Sequence, residues 1–412
     1  MADTSAGISA DEAQRIPDFS LSRAAGCPFA PPALYQNLQK ERPVTRVRIW
    51  DGSTPWIVSR HADQRALLAD PRITSDQRLP GYPHSNAAQA AFRKTSEPSI
   101  TALDGPEHSR IRRMVTGPFA VRRVEAMRPA IQRITDQLID QMLAGPTPAD
   151  LVTALALPVP SLVICELLGV PYEDHEFFQD NSSTMLRTDA SAEEVRAARD
   201  TLIGYLGNLL TAKAANPADD TLSELAAWVE TGEMTHHEAA AMGTGLLLAG
   251  HETTANMIAL GTLALLEHPE QLAVLRATDD PSVVASAVEE LLRYLTIAHS
   301  GLRRVALADI EIGGETIRAG EGVILPQPAA NWDPEVFPEP ERLDLHRNPR
   351  RHQAFGFGSH QCLGQPLARV ELQVVYGTLY RRIPTLRLAT TLDQITFKNS
   401  LAYGVSALPV SW

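Results

Sequence analysis

From about residue 106 to 295 the chain is patterned for α-helix almost without interruption, which leaves little room for anything but a helix-dominated fold. Within that stretch Val124, Met127, Ile131, Ile134, Leu138 and Met142 recur at steps of three or four, so one helix face is apolar. Short β-rich runs lie only at its flanks. They are 44–50 and 54–60 before it, then 302–326, punctuated by Gly313, Gly314 and Gly320, and a last group beyond about 385. The expected class is mainly α with small β-sheets. No internal repeat, low-complexity tract or linker divides the sequence. A single domain is therefore expected over residues 27–412, behind an irregular segment 1–26. The polar stretch 79–98, with its Gly, Pro and Ser, reads as a long loop of the kind that serves as a lid or a surface insertion.

The 412 residues, 44% hydrophobic and 21% charged, are enough for one large core. A net charge of −12 excludes general attraction to nucleic acid or anionic membrane. The N-terminal MADTSAGISADEAQR has neither the basic region nor the apolar stretch of a signal peptide. The most apolar runs are interrupted by Pro158, Pro160 and Glu166 or by His251 and Glu252. A cytoplasmic protein without a membrane anchor is expected. Three cysteines, Cys27, Cys165 and Cys362, can build neither a closed disulfide framework nor a four-cysteine metal site.

Chemistry concentrates in Phe355-Gly-Phe-Gly-Ser-His-Gln-Cys-Leu-Gly-Gln-Pro-Leu-Ala-Arg369, where a glycine-rich loop delivers Cys362 to the start of a helix. Leu363, Leu367, Val370 and Val374 form the apolar stripe of that helix. Backbone N–H groups of its first turn would point at the sulfur and favour thiolate. A lone cysteine is ordinarily a small core residue. A single soft anionic ligand at a helix start, approached by a backbone cleared of side chains at Gly358 and Gly364, suits haem iron. Zinc needs companions this loop lacks.

Phe355, Gly358, Cys362 and Gly364 match the F-x-x-G-x-x-x-C-x-G signature, and in these residues the chain resembles the cytochrome P450 family of haem-thiolate monooxygenases. Other segments agree in order. Ala249-Gly250-His251-Glu252-Thr253-Thr254 is a polar interruption of an apolar helix spanning about 237–267, which needs a reason. Gly250 and back-bonding threonines could open the helical ladder there into a groove. The resemblance makes Glu252 and Thr253 the acid–alcohol pair that supplies protons for oxygen activation. A zinc-protease H-E-x-x-H fails because residue 255 is Ala, and a dinucleotide loop at Gly243-Thr-Gly245 fails because residue 248 is Leu.

In Asp104-Gly-Pro-Glu-His-Ser-Arg-Ile-Arg112, His108 and Arg112 stand four apart on one helix face. By resemblance they meet the haem propionates together with Arg304 and His360. Phe355, Gly364 and Ala249 contact the cofactor, haem b. Glu290 and Arg293 form the family's Glu-x-x-Arg pair, joined from a later segment by Arg342 in a structural role. Leu343 and Trp332 depart from the residues customary there. The distal pocket is expected from the 79–98 loop, the 181–192 region around Met185 and Leu186, and Leu248, Ala249, Ile297, Ala298, His299 and Leu401. A mostly apolar lining is expected.

The resemblance runs from about Cys27 to the C-terminus and is greatest with soluble bacterial members, including actinomycete enzymes acting on antibiotics and foreign compounds. It implies a triangular α-rich prism. The implied activity is hydroxylation or epoxidation of a hydrophobic secondary metabolite or xenobiotic, with dioxygen as co-substrate. A haem domain fills the chain, so two electrons come from outside. A ferredoxin with an NAD(P)H-dependent ferredoxin reductase is the expected source, drawn to Arg110, Arg112, Arg113, Arg122, Arg123, Arg347, Arg350 and Arg351 of a monomer. A peroxygenase and a non-catalytic haem carrier or sensor are the alternatives. Neither needs the pair at Glu252 and Thr253.

Overall fold

A computed structural model describes residues 16–19, 23, 27–95 and 97–412. Most of the expected irregular segment 1–26 lies outside the described residues. Of its described part, Asp18 bridges to Arg48 in parallel register.

The helices are α1 (Ala33–Glu41), α2 (His61–Ala69), α3 (Ala87–Thr95), α4 (Gly105–Thr116), α5 (Val121–Ala144), α6 (Pro158–Leu168) and α7 (His175–Leu186). There follow α8 (Ala192–Ala215), α9 (Thr221–Glu230), α10 (His236–Leu266), α11 (Pro269–Ala277), α12 (Pro281–Leu295), α13 (Gln327–Asn331) and α14 (Gln365–Arg382). The strands are β1 (Val44–Arg46), β2 (Trp56–Val58), β3 (Ile73–Thr74), β4 (Ala149–Asp150), β5 (Leu302–Ala306), β6 (Ile310–Ile312), β7 (Glu315–Ile317), β8 (Gly322–Leu325), β9 (Arg387–Leu388) and β10 (Pro409–Ser411). The largest sheet has the order β1-β2-β8-β5-β3, with β2 and β8 parallel through Trp56 opposite Val323. A second joins β4, β10 and β9, and β6 pairs with β7. The mainly α class with small sheets is what the patterning predicts. Among the described residues no helix is long and apolar enough to cross a membrane.

The central element is α10, 31 residues long. Its start is fixed by a capping box: Glu238 N–H donates to Thr235 Oγ1 and Thr235 N–H to Glu238 Oε2. It packs on α6 and α8, and also on α14. Its C-terminal half lacks the polar stripe of a surface helix because nearly every face is covered: Ile258, Leu260, Leu263 and Leu265 are all fully buried.

The 79–98 stretch is not one loop. Residues 87–95 form α3, which packs on α8 and buries Phe92. The run Ala-Ala-Gln-Ala-Ala has high helix propensity, and Phe92 supplies the tertiary anchor.

Glu290 and Arg293 are completely buried on α12. Arg293 donates from Nε and Nη2 to the two carboxylate oxygens, both at 2.8 Å. Its Nη1 reaches the carbonyls of Asn331 and Pro340 at 3.0 and 2.9 Å. The expected third member, Arg342, is corrected to Arg347, whose Nε donates to Glu290 Oε1 at 3.1 Å. The backbone at Arg342 turns its carbonyl inward to Arg293 Nη2, at 3.3 Å, so its side chain points outward near Glu339. The two departures are core residues: Leu343 is buried, and Trp332 stacks on Tyr294 and donates to its carbonyl at 2.9 Å.

A buried carboxylate stripped of one partner is costly. Replacing Arg347 by Ala is expected to destabilise the protein by about 2 kcal/mol, and the same change at Arg342 by less than about 0.5 kcal/mol. Thermal unfolding of the two variants side by side checks the assignment; equal losses would reject it.

Candidate active site

Cys362 closes the loop that leads into α14. Its N–H donates to the Phe355 carbonyl at 2.8 Å, which folds the glycine-rich segment back on itself. Gly358 sits at φ +77°, and a Cβ there would lie 2.3 Å from the Leu68 carbonyl, so both conformation and space require glycine. Cys362 has the accessible surface of an exposed residue although protein atoms surround it on most sides. Both are true because that surface faces inward.

Burial pushes the Cys362 thiol up from its ordinary value. The N–H groups of Gly364 and Gln365 and the guanidinium groups of Arg112 and Arg369 act in the opposite direction. The first-turn donors expected from the sequence are thus in place. A Cβ on Gly364 would meet only Phe119 Cε1, at 4.0 Å, so this side of the sulfur is open.

Beyond the first turn of α10 the exposed positions are Gly245, Ala249 and Thr253, spaced by four in the middle of an otherwise covered helix. Such a stripe on a central helix marks a face turned to an internal space. The expected break in the ladder does not occur. The helix runs unbroken, Thr253 Oγ1 donates to the Ala249 carbonyl at 2.8 Å, and Gly250 faces the Ile164 side chain of α6, where a Cβ would sit 2.6 Å away. Glu252 is buried and accepts from Lys398 Nζ at 2.8 Å. Leu248 is partly buried on the same helix.

The four expected propionate partners come from three places. His108 and His360 lie ring against ring, centroids 4.3 Å apart. His360 Nε2 bonds Asp104 Oδ1 at 2.9 Å and Ser75 Oγ at 3.2 Å. Burial alone would raise the Asp104 carboxyl, but bonds from His360, Thr74 and the Ser75 N–H hold it well below the usual carboxylate range. The His108 imidazole is lowered by burial, then by His360 and Arg112. Arg112 donates to the Gln361 carbonyl at 2.6 Å and Arg304 to that of Arg303 at 2.8 Å. Neither has a carboxylate partner among the described residues, although Arg304 is buried. Two guanidinium groups without a salt bridge, Arg112 acting on the Cys362 sulfur and Arg304 buried, fit an anionic, iron-bearing macrocycle.

A cavity of about 400 Å³ opens near the expected distal pocket, lined in part by His299 and Leu401. Its rim differs from the apolar lining expected: Ser85, Asn86, Thr188, Asn399 and Ser400 contribute, because turns of three separate segments meet there. Thr188 N–H donates to the Asn399 carbonyl at 3.2 Å, and Asn86 Nδ2 to the Thr188 carbonyl at 3.3 Å. Ile297 and Met185 pack partly into the hydrophobic cores, and Leu186 and Ala298 are partly buried. His299 Nε2 bonds the Ser400 carbonyl at 3.0 Å, and burial lowers the imidazole to about 4, so it is neutral near pH 7.

Sequence reasoning passed over Asp104 and Lys398, and read Arg347 as a partner contact and not as the third member of the buried pair. Lys398 is one of only four lysines in the chain, the one signal that could have drawn attention to it.

The family model described as Cytochrome P450 matches residues 33–383. Cytochrome P450 GfsF of Streptomyces halstedii is 59% identical, with 100% of each chain covered. The crystal structure of GfsF superposes with a TM-score of 0.90 over 96% of this chain and 100% of that one. Mycinamicin VIII C21 methyl hydroxylase of Micromonospora griseorubida is 44% identical over 94% of this chain and 98% of its own. Its structure bound to mycinamicin VIII gives a TM-score of 0.89, covering 96% of this chain and 100% of that one. With its cysteine loop, central helix and whole length accounted for by these matches, the chain belongs to the cytochrome P450 family and is a haem-dependent monooxygenase with dioxygen as co-substrate.

Proposed function

We propose that residues 27–412 form one catalytic domain that hydroxylates or epoxidises a hydrophobic secondary metabolite bearing oxygen functions. The observation that carries this reading is the inward exposure of Cys362 together with the Gly245, Ala249 and Thr253 stripe on α10.

Bound haem supplies the activation of dioxygen with two electrons and the insertion of one oxygen atom into substrate. Cys362 would hold the haem iron, the charge of its sulfur supported by the Gly364 and Gln365 N–H groups and by Arg112. Phe355, Gly364 and Ala249 would lie against the haem. Arg112 and Arg304 would offset the charge of its carboxylates, with His108 and His360 beside them. Thr253 presents the lone pairs of a hydroxyl whose proton is committed to Ala249, so it accepts and orders a proton donor. Glu252, the neighbouring acid, is the proton store.

The names of the relatives support a secondary metabolite as substrate, since one is a methyl hydroxylase of mycinamicin VIII. Leu248, Ala249, Ile297, Ala298 and Leu401 suit its carbon skeleton. The hydroxyl and amide rim at Ser85, Asn86, Thr188, Asn399 and Ser400 suits its oxygen substituents, with His299 beside them.

Electrons arrive from a separate redox partner. We assign that role to a ferredoxin served by an NAD(P)H-dependent reductase, meeting a cytoplasmic monomer. The expected arginine patch is reduced by internal pairing: Arg110 faces Glu238, Arg123 pairs with Asp219 and Glu224, and Arg347 with Glu290. Arg113, Arg122, Arg350 and Arg351 remain exposed and available to an acidic partner.

Three outcomes are expected. Reduced protein under carbon monoxide gives a strongly red-shifted Soret band that is absent in Cys362→Ala; a haem-loaded, folded wild type without the band would reject thiolate ligation. Thr253→Ala retains haem and loses product formation at least about tenfold, measured as product per electron pair, which would oppose the carrier alternative, whereas unchanged product would remove Thr253 from oxygen activation. Arg350→Glu and Arg351→Glu slow reduction by ferredoxin most at low ionic strength, and stopped-flow rates independent of salt would remove the patch from consideration.

A further inference from the structure

Neighbouring residues on a helix project about 100° apart. Thr253 belongs to the exposed stripe of α10, so the Glu252 side chain leaves the same turn in another direction. It reaches the C-terminal segment, where Lys398 Nζ lies 2.8 Å from Glu252 Oε1. No hydrogen bond joins Glu252 to Thr253 among the described residues. The carboxylate is therefore placed by the lysine and not by its partner in the pair.

Lys398 is itself well fixed. Its N–H donates to the Gly404 carbonyl at 2.9 Å, and Phe397 and Val405 bridge in antiparallel register. This hairpin rests directly on α10. A Cβ on Gly404 would lie 2.3 Å from Oδ1 of Asn256, one turn beyond Glu252, so only glycine permits the approach. The hairpin also borders the 400 Å³ cavity through Lys398, Asn399, Ser400 and Leu401. Its tip is held to the C-terminal end of α7 by Leu401 N–H on the Leu186 carbonyl, at 3.1 Å.

We propose that Lys398 is a positioning residue for oxygen activation: from the cavity-lining hairpin it fixes the Glu252 carboxylate where it delivers protons toward the Thr253 face of α10. The inference rests on the reading of Glu252 as proton store. A buried acid with one charged partner has its orientation set by that partner. A charge-assisted hydrogen bond of this kind is worth about tenfold in an equilibrium. The requirement is for charge and reach, not for a transferable proton, so arginine should serve.

The test uses the full haem-loaded chain with a plant-type ferredoxin and its reductase, following oxygen consumption in H₂O and D₂O. Lys398→Met is expected to slow oxygen consumption about tenfold and raise the solvent isotope effect, with the reduced carbon monoxide spectrum and thermal midpoint close to wild type. Lys398→Gln takes its place if Lys398→Met fails to incorporate haem. Lys398→Arg should restore both rate and isotope effect, and adding Lys398→Met to Glu252→Gln should change nothing further. If Glu252→Gln slows turnover with a raised isotope effect while Lys398→Met matches wild type, the role of Lys398 is overturned and that of Glu252 stands. Failure of arginine to rescue would likewise overturn positioning by charge. A Glu252→Gln variant indistinguishable from wild type would overturn the proton-store reading and this inference with it.

Discussion

The buried Glu290–Arg293 pair is the contact on which the proximal half of the molecule depends. Two fully buried charges are tolerable only when every lone pair and proton finds a partner. Here the partners are carbonyls of a chain segment that has no regular structure of its own. Arg293 takes the carbonyls of Asn331, Pro340 and Arg342, and Glu290 takes the Asp344 N–H as well as Arg347. Backbone groups that a helix or sheet would have satisfied are instead gathered around one ion pair. The order extends toward the thiolate loop through Asn331, whose side chain donates to Thr296 at the end of α12 and accepts the Gln353 N–H at 2.6 Å. From Gln353 the next links are Gly356 N–H to the Gln353 carbonyl and Cys362 N–H to that of Phe355.

A second, parallel line of support runs one residue away. Glu289 accepts from His352 Nε2 at 2.9 Å and from Nε and Nη2 of the Arg369 guanidinium. His352 Nδ1 accepts the Ala354 N–H, which fixes the ring proton on Nε2. Burial would raise the Glu289 carboxyl, but these donors hold it down at about 2. Arg369 in turn lies over the Phe355 ring, 4.6 Å from its centroid. Adjacent acids on α12 thus brace different parts of one loop, Glu290 its approach and Glu289 the aromatic residue whose carbonyl holds Cys362. A helix can do this because positions 289 and 290 project in different directions, each toward its own arginine.

Most residue identities at the site were legible in the sequence, Asp104 and Lys398 apart, but the direction of side chains was not. Cys362, its glycines and the helix that follows could be read because the loop chemistry is local: spacing alone determines which N–H groups meet the sulfur. The helix-dominated class could be read because α5 carries one apolar face over its whole length and α10 is a long, mostly apolar run. The sequence points to Arg342 where the structure has Arg347, because neighbouring arginines on an irregular segment carry no periodicity that says which one turns inward. That choice is made by a backbone with Glu339 and Asn348 at positive φ, which no spacing rule supplies. The helix α3 was obscured by the Gly, Pro and Ser around it, and its anchor, Phe92, is recognisable only once α8 is present to pack against.

The segment His251-Glu252-Thr253 shows the same limit in three consecutive residues. His251 turns into the core, bonded through Nδ1 to the Leu247 carbonyl at 2.7 Å and edge-on to Phe178 of α7. Glu252 turns to the C-terminal hairpin and Thr253 to the exposed stripe. A polar interruption of a buried helix therefore need not disturb the helix, provided that each polar group leaves in a direction where a different element meets it. The unbroken ladder of α10 follows from that division. It lets one rigid helix face the core, the hairpin and the inward surface at the same level, and so sets acid and alcohol side by side without a bond between them.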